Sequence, residues 1–197
     1  MSIGRPPSTT REEIEEVALG RFAEHGFEAT TVDDIAAAIG VGRRTLFRYF
    51  ESKNDIVWGD FDWVMERLRT ALTTEGGGLP LMDALRVGVV ESNSYPPEQL
   101  PGLRIRMTLI TRTPALQAHS ALRYAEWRGV VAEWVAERCG LAADDLLPQT
   151  IAGAALGVAM ATFGRWVDHP DEDLGELLDA AFRTLAAGFA PGGRERR

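Results

Sequence analysis

Apolar positions recur with helical spacing along almost the whole chain, and no segment shows the sustained alternation that a half-buried strand requires. In the first such segment Ile14, Val17, Ala18 and Phe22 form one stripe, which predicts a helix over residues 10–25. His25 ends it, and Gly26 follows where a glycine readily takes the positive φ that stops a helix. A short second helix is predicted over 32–39. Thr31 and Asp34 form the two halves of a capping box at its start, Ile35, Ala36 and Ile39 face inward, and Gly40 closes it. A third helix is expected over 43–50 after Gly42, with Leu46 and Phe50 in the core. Ser52 caps a fourth that runs to residue 74.

Gly76-Gly77-Gly78 then breaks the pattern. It reads as a flexible turn and not as a phosphate-binding loop, because no Gly-Lys-Ser/Thr follows. Further helices are predicted over 80–92, 97–111, 115–139, 146–167 and 171–189, with Pro96, Pro97, Pro114, Pro148 and Pro170 at the breaks. The tail 191–197 is expected to be disordered. The sum is an all-α fold of about nine helices, with no internal repeat.

Residues 31–50 read as helix, three-residue turn, helix, the scale of a helix-turn-helix. In that motif the second helix enters the major groove. Charge supports the reading. The chain is acidic, with a formal net charge of −8, yet within residues 42–53 Arg43, Arg44, Arg48 and Lys53 stand against Glu51 alone. An acidic protein that binds DNA must localise its positive charge in this way. Lys53 is the only lysine in the sequence, and its place at the start of the fourth helix suits a phosphate contact.

The run 30–36, Thr-Thr-Val-Asp-Asp-Ile-Ala, followed by 40–53, Gly-Val-Gly-Arg-Arg-Thr-Leu-Phe-Arg-Tyr-Phe-Glu-Ser-Lys, resembles the signature of TetR-type transcription regulators. Residues 22–27, Phe-Ala-Glu-His-Gly-Phe, match it too. The resemblance implies a DNA-binding domain over 1–53 and a ligand-binding and dimerisation domain over 54–190. It also implies that Arg43, Arg44 and Thr45 face the groove, with Arg48 and Tyr49 one turn on, and that Thr31 and Lys53 hold phosphates. Arginine paired to guanine makes Arg43 or Arg44 the candidate for base reading. Two positions depart from the family pattern. Gly42 stands where a serine cap is common, and Phe47, within the DNA-facing set, replaces a tyrosine and so lacks its hydroxyl.

A dimer is expected, because paired helix-turn-helix units span half-sites ~34–36 Å apart. Its candidate face comes from the last two long helices, through Leu156, Met160, Leu174, Leu178, Ala181 and Leu185, with the small residues Gly153, Gly157 and Gly164 allowing close approach. Large apolar residues mingle with arginines in the middle of the chain. Trp63, Met82, Arg106, Met107, Arg123, Tyr124, Trp127 and Phe163 are the candidate ligand contacts. Arginines among apolar side chains suit an amphipathic ligand with an anionic head, such as an acyl-CoA. The segments 58–62, 80–86 and 113–120 further resemble those of TetR-type regulators encoded with mycofactocin biosynthesis genes.

No enzyme motif is present: there is no Gly-x-Ser-x-Gly, His-Glu-x-x-His or dinucleotide-binding glycine pattern. No metal or cofactor is expected. The single cysteine, Cys139, excludes an intrachain disulfide, and the N-terminus lacks the apolar run of a secretory signal, which points to the cytoplasm. A helical small-molecule-binding protein without DNA binding is the alternative reading.

Overall fold

A computed structural model describes residues 9–74 and 78–188. Every regular element among them is helical: α1 (Arg11–His25), α2 (Val32–Ile39), α3 (Arg43–Leu46), α4 (Lys53–Trp58), α5 (Phe61–Thr74), α6 (Leu81–Ser92), a 3₁₀ turn (Pro97–Gln99), α7 (Leu100–Arg112), α8 (Pro114–Cys139), α9 (Leu146–Asp168) and α10 (Leu174–Ala186). The expected all-α class is met. The tail 191–197, Phe189 and the Gly76-Gly77 part of the glycine turn lie outside the described residues.

The helices form two compact units, one of residues up to 59 together with 97–119, the other of 60–96 together with 120 onward. The division falls differently from the boundary expected after residue 53, because α4, α7 and the first turn of α8 pack with the helix-turn-helix. In the first unit α1 packs against α2, α4 and α7. Its core holds Ile14, Ala18, Phe22, Phe27, Ile35, Leu46, Phe50 and Ile56. The Phe22 and Phe27 rings meet at 5.0 Å between centroids. In the second unit α6 lies between α5 and α10, and α10 packs on α9. Gly88 lets α6 cross α5 closely, since a Cβ there would lie 3.1 Å from Leu72 Cα. Trp134 of α8 donates its indole N–H to the Leu72 carbonyl at 2.9 Å.

Three local expectations need correction. The long fourth helix is two helices. Gly59 adopts φ 61° and ψ −143°, outside the helical region, after closing α4 with its N–H on the Asp55 carbonyl. Asp60 then restarts the chain as α5 by accepting from the Trp63 amide at 3.0 Å. The third helix is shorter than expected, because the chain after Leu46 tightens into i→i−3 bonds, Arg48 N–H to Thr45 O and Tyr49 N–H to Leu46 O. Pro148 breaks nothing. It is the third residue of α9, where a missing N–H costs no helical bond.

Candidate functional site

The local physics of the helix-turn-helix follows the sequence closely. Thr31 caps α2, and the reciprocal capping box with Asp34 is complete. The Thr31 hydroxyl donates to the Asp34 carboxylate at 2.6 Å and the Thr31 amide does so at 2.8 Å. These bonds hold the Asp34 carboxyl below its ordinary range. Gly40 ends α2 with φ 76° and ψ 27°, a left-handed conformation that a side chain would resist. Ala36 and Ala37 carbonyls accept its N–H, so the turn to α3 is satisfied.

On α3, Leu46 points into the core and the rest of the turn faces solvent. The two candidate arginines differ. Arg43 pairs with Asp33 at 3.0 Å and lies over the Phe47 ring at 5.3 Å. Arg44 is exposed and engages no group among the described residues. Arg48 is also exposed, with its guanidinium over the Tyr49 ring. Phe47 is 39 % exposed, unusual for a large apolar side chain in this unit. Thr45 is half-buried.

Thr31 and Lys53, expected at phosphates, and Tyr49, expected on the groove-facing helix, all make internal bonds. Lys53 Nζ donates to the carbonyls of Phe27 at 2.7 Å and Thr30 at 3.1 Å and sits over the Phe27 ring at 4.1 Å. It therefore ties α4 to the loop between α1 and α2. The Tyr49 hydroxyl donates to the Thr9 carbonyl at 2.8 Å, which holds the segment before α1. The Thr31 hydroxyl is engaged in the capping box. The sequence offers them to DNA by side-chain type and does not show which carbonyls come near them.

It also missed a polar cluster behind the motif. Arg11 donates to the Tyr49 carbonyl at 2.8 Å and the Gly59 carbonyl at 3.2 Å, with its guanidinium 4.3 Å from the Phe50 ring centroid. Glu15 accepts from Arg106 at 2.8 Å. Arg106 also donates to the Val57 carbonyl. His119 Nε2 lies 3.2 Å from Asp55 Oδ1. The signal for this cluster was available at Gly59-Asp60, a helix stop followed by a cap inside an apparently continuous apolar pattern.

The candidate ligand contacts fall in both units. Arg106 and the buried Met107 belong to the first unit and to the contacts around α4. The other six lie in the second unit. Trp63 is half exposed and carries Arg67 over its ring. Arg123 lies over Phe61 and pairs loosely with Glu126 at 3.7 Å. Tyr124 bonds to Ser120, and burial raises the pKa of its phenol. Met82, Trp127 and Phe163 are half-buried. A groove of about 650 Å³ between α5 and α8 is lined instead by Asp62, Met65, Glu66, Arg69, Glu126, Gly129, Val130 and Glu133. Four carboxylates against one arginine repel an anionic head at that place.

The dimer candidates divide by face. Leu156, Leu174 and Leu178 are buried within the protomer, so they belong to its core and not to a partner. Met160, Ala181 and Leu185 are half-buried, and Gly153, Gly157 and Ala161 are exposed along α9. Among the described residues α9 is long and apolar enough to cross a membrane by length and composition, yet only 28 % of its most apolar window is buried. An apolar face of this helix is thus uncovered.

Comparison with known proteins adds three findings. Residues 14–57 match the family of bacterial regulatory proteins described as the tetR family, and residues 79–190 match the MftR C-terminal domain. The chain is 44 % identical over 187 residues to a Mycobacterium tuberculosis protein named as a mycofactocin biosynthesis transcriptional regulator, MftR, covering 95 % of this chain and 94 % of that one. Its fold is similar to that of the fatty acid degradation regulator FadR from Bacillus halodurans, with 21 % identity, 98 % and 100 % coverage and a TM-score of 0.65. It is also similar to Thermus thermophilus FadR in complex with lauroyl-CoA, with 20 % identity, 95 % and 99 % coverage and a TM-score of 0.60.

Proposed function

The chain belongs to the TetR family of transcriptional regulators, and from that premise we propose that it is a homodimeric repressor whose base reading rests on Arg44 and which an amphipathic effector releases from its operator. One observation carries the reading: Arg44 stands exposed on the first turn of α3, with no internal partner among the described residues, while the adjacent Arg43 is paired with Asp33. A guanidinium so placed is available to the O6 and N7 acceptors of a guanine. Arg48 supplies further positive charge on the same exposed segment.

The exposed small residues of α9 support the dimer. Glycines at 153 and 157 permit close approach of a partner helix, and an added Cβ at either would meet nothing within the protomer. A dimer built there would cover the apolar face that one protomer leaves open.

The likeness to the M. tuberculosis protein supports a target promoter among mycofactocin genes. Lauroyl-CoA in the T. thermophilus neighbour supports an acyl-CoA as effector. Arg123, Tyr124 and Trp127 are the residues of the second unit that suit it, whereas the acidic groove between α5 and α8 does not suit its phosphates.

The test is a footprint and an anisotropy titration on the DNA upstream of the gene itself and of neighbouring mycofactocin genes, with and without an acyl-CoA series. Salt-dependent protection of one palindromic segment, relieved by an acyl-CoA, is the expected result. Binding that no salt concentration weakens, or no protected segment at all, refutes the DNA reading. Protection that every acyl-CoA leaves unchanged refutes the effector.

A further inference from the structure

α4 is six residues long and directly follows the segment that carries α3. Its last carbonyls have no continuing helix to accept, because Gly59 leaves the helical region. Two arginines approach that end. Arg11, from α1, donates to the Gly59 carbonyl, and Arg106, from α7, donates to the Val57 carbonyl. Cationic groups are favourable at a helix C-terminus, where the carbonyl dipoles leave partial negative charge. Glu15 lies between them, 2.8 Å from Arg106 and 3.9 Å from Arg11.

The cluster is closely fitted. A Cβ on residue 59 would lie 2.5 Å from Arg106 Nη1 and 2.6 Å from Glu15 Oε2, and φ there is +61°. Only glycine satisfies both the space and the backbone. The Arg106 and Glu15 side chains are 20 % and 15 % exposed, so each is substantially desolvated and depends on the other.

The two arginines are not equivalent in origin. Arg11 comes from the same N-terminal stretch as α4. Arg106 comes from α7, which is separated from α4 in the chain by residues 60–96 of the second unit, and α8, which follows α7, continues from the first unit into the second. Arg106 is thus a contact from α7 onto the end of α4.

We propose that Arg106 is a positioning residue for DNA binding: it clamps the C-terminal end of α4 through Val57 and Glu15, so that the placement of α7 sets the placement of α4 and of the recognition segment before it. The proposal rests on the DNA-binding reading above and names the residue through which that site is regulated. Coupling of this kind needs a contact that can be made in one state and lost in another, and a charged fork across two helices can serve as one.

The experiment uses full-length protein carrying Arg106→Met, Arg106→Lys or Glu15→Gln. The probe is a duplex of about 30 base pairs selected by the wild type from a random library. Amide hydrogen exchange and operator affinity across a salt series are measured for each. Arg106→Met is expected to weaken affinity about tenfold or more, with the salt slope unchanged, because no phosphate contact is lost. Amides of residues 53–59 should lose protection while those of α9 and α10 keep theirs. Arg106→Lys should recover part of the affinity, since an ammonium can reach one acceptor but not span two. Affinity of Arg106→Met within about twofold of wild type, or unchanged protection in 53–59, overturns the proposal. So does a salt slope that falls by about one charge, which would make Arg106 a phosphate contact. If Arg106→Met does not fold, Glu15→Gln decides by the same two readouts. If the wild type selects no duplex, the regulator reading fails, and the exchange comparison still decides whether Arg106 holds α4.

Discussion

The Arg43 guanidinium and the Asp33 carboxylate lie 3.0 Å apart, so the first turn of α2 holds the first residue of α3, while Arg44 beside it stays unengaged among the described residues. Adjacent arginines thus carry different tasks. Arg44→Ala is expected to reduce discrimination at one operator position by ~1–3 kcal/mol, the scale of a lost bidentate guanine contact. Arg43→Ala should cost less and affect all sequences alike. Anisotropy titrations against single-base operator variants check both, and equal loss of discrimination in the two variants would contradict the division.

Lys53 carries a stability prediction. Removing its ammonium leaves the Phe27 and Thr30 carbonyls without their donor, and charge-assisted bonds of this type contribute about 1.5–3 kcal/mol each at most. Lys53→Met should lower the stability of the full-length protein by roughly 2 kcal/mol in chemical denaturation. A variant as stable as the wild type that nevertheless binds DNA weakly would restore the phosphate role.

Gly59→Ala should be destabilising by more than ~1 kcal/mol, since the residue has positive φ and its new Cβ would enter the space of Arg106 and Glu15. Thermal unfolding measures this directly. Gly20→Ala in α1, where φ is ordinary and a Cβ meets nothing, is the matched control and should unfold no earlier than the wild type.

Gly157 tests the dimer. The position is open in the protomer, so Gly157→Phe should fold normally yet obstruct a partner helix. Sedimentation should show monomer where the wild type shows dimer, with helical circular dichroism retained. A variant that still sediments as a dimer moves the interface elsewhere.

Asp179 is one source of acid sensitivity in the second unit. Arg183 first, and then Arg86, bond to Asp179 and hold its carboxyl below the ordinary value of 3.8. A group lowered in the folded state contributes stability above its unfolded pKa and loses it as pH falls through the lower folded pKa. Asp179→Asn should therefore narrow the gap in denaturation midpoint between neutral pH and a pH below 3.8. An unchanged gap would assign the acid sensitivity to other carboxylates.

Whatever depends on neighbours in the chain was legible before folding. The Thr31–Asp34 capping box, the stops at Gly26 and Gly40, the Ser52 cap and the inward Ile35, Leu46 and Phe50 are all local, with partners within four residues or on one helical stripe. Contacts across long sequence separations emerged only with the packed fold. It placed Lys53 on Phe27 and Thr30, Tyr49 on Thr9, and Arg106 on Glu15 and Val57. A long polar side chain can serve a phosphate, a ligand or a backbone carbonyl equally well, and its type does not say which acceptor comes within reach. The helix face of Leu156 likewise could not be assigned to core or partner until α10 was seen packed against α9. Capping and periodicity are properties of a segment, whereas the choice of partner for a guanidinium or an apolar face belongs to the packed molecule.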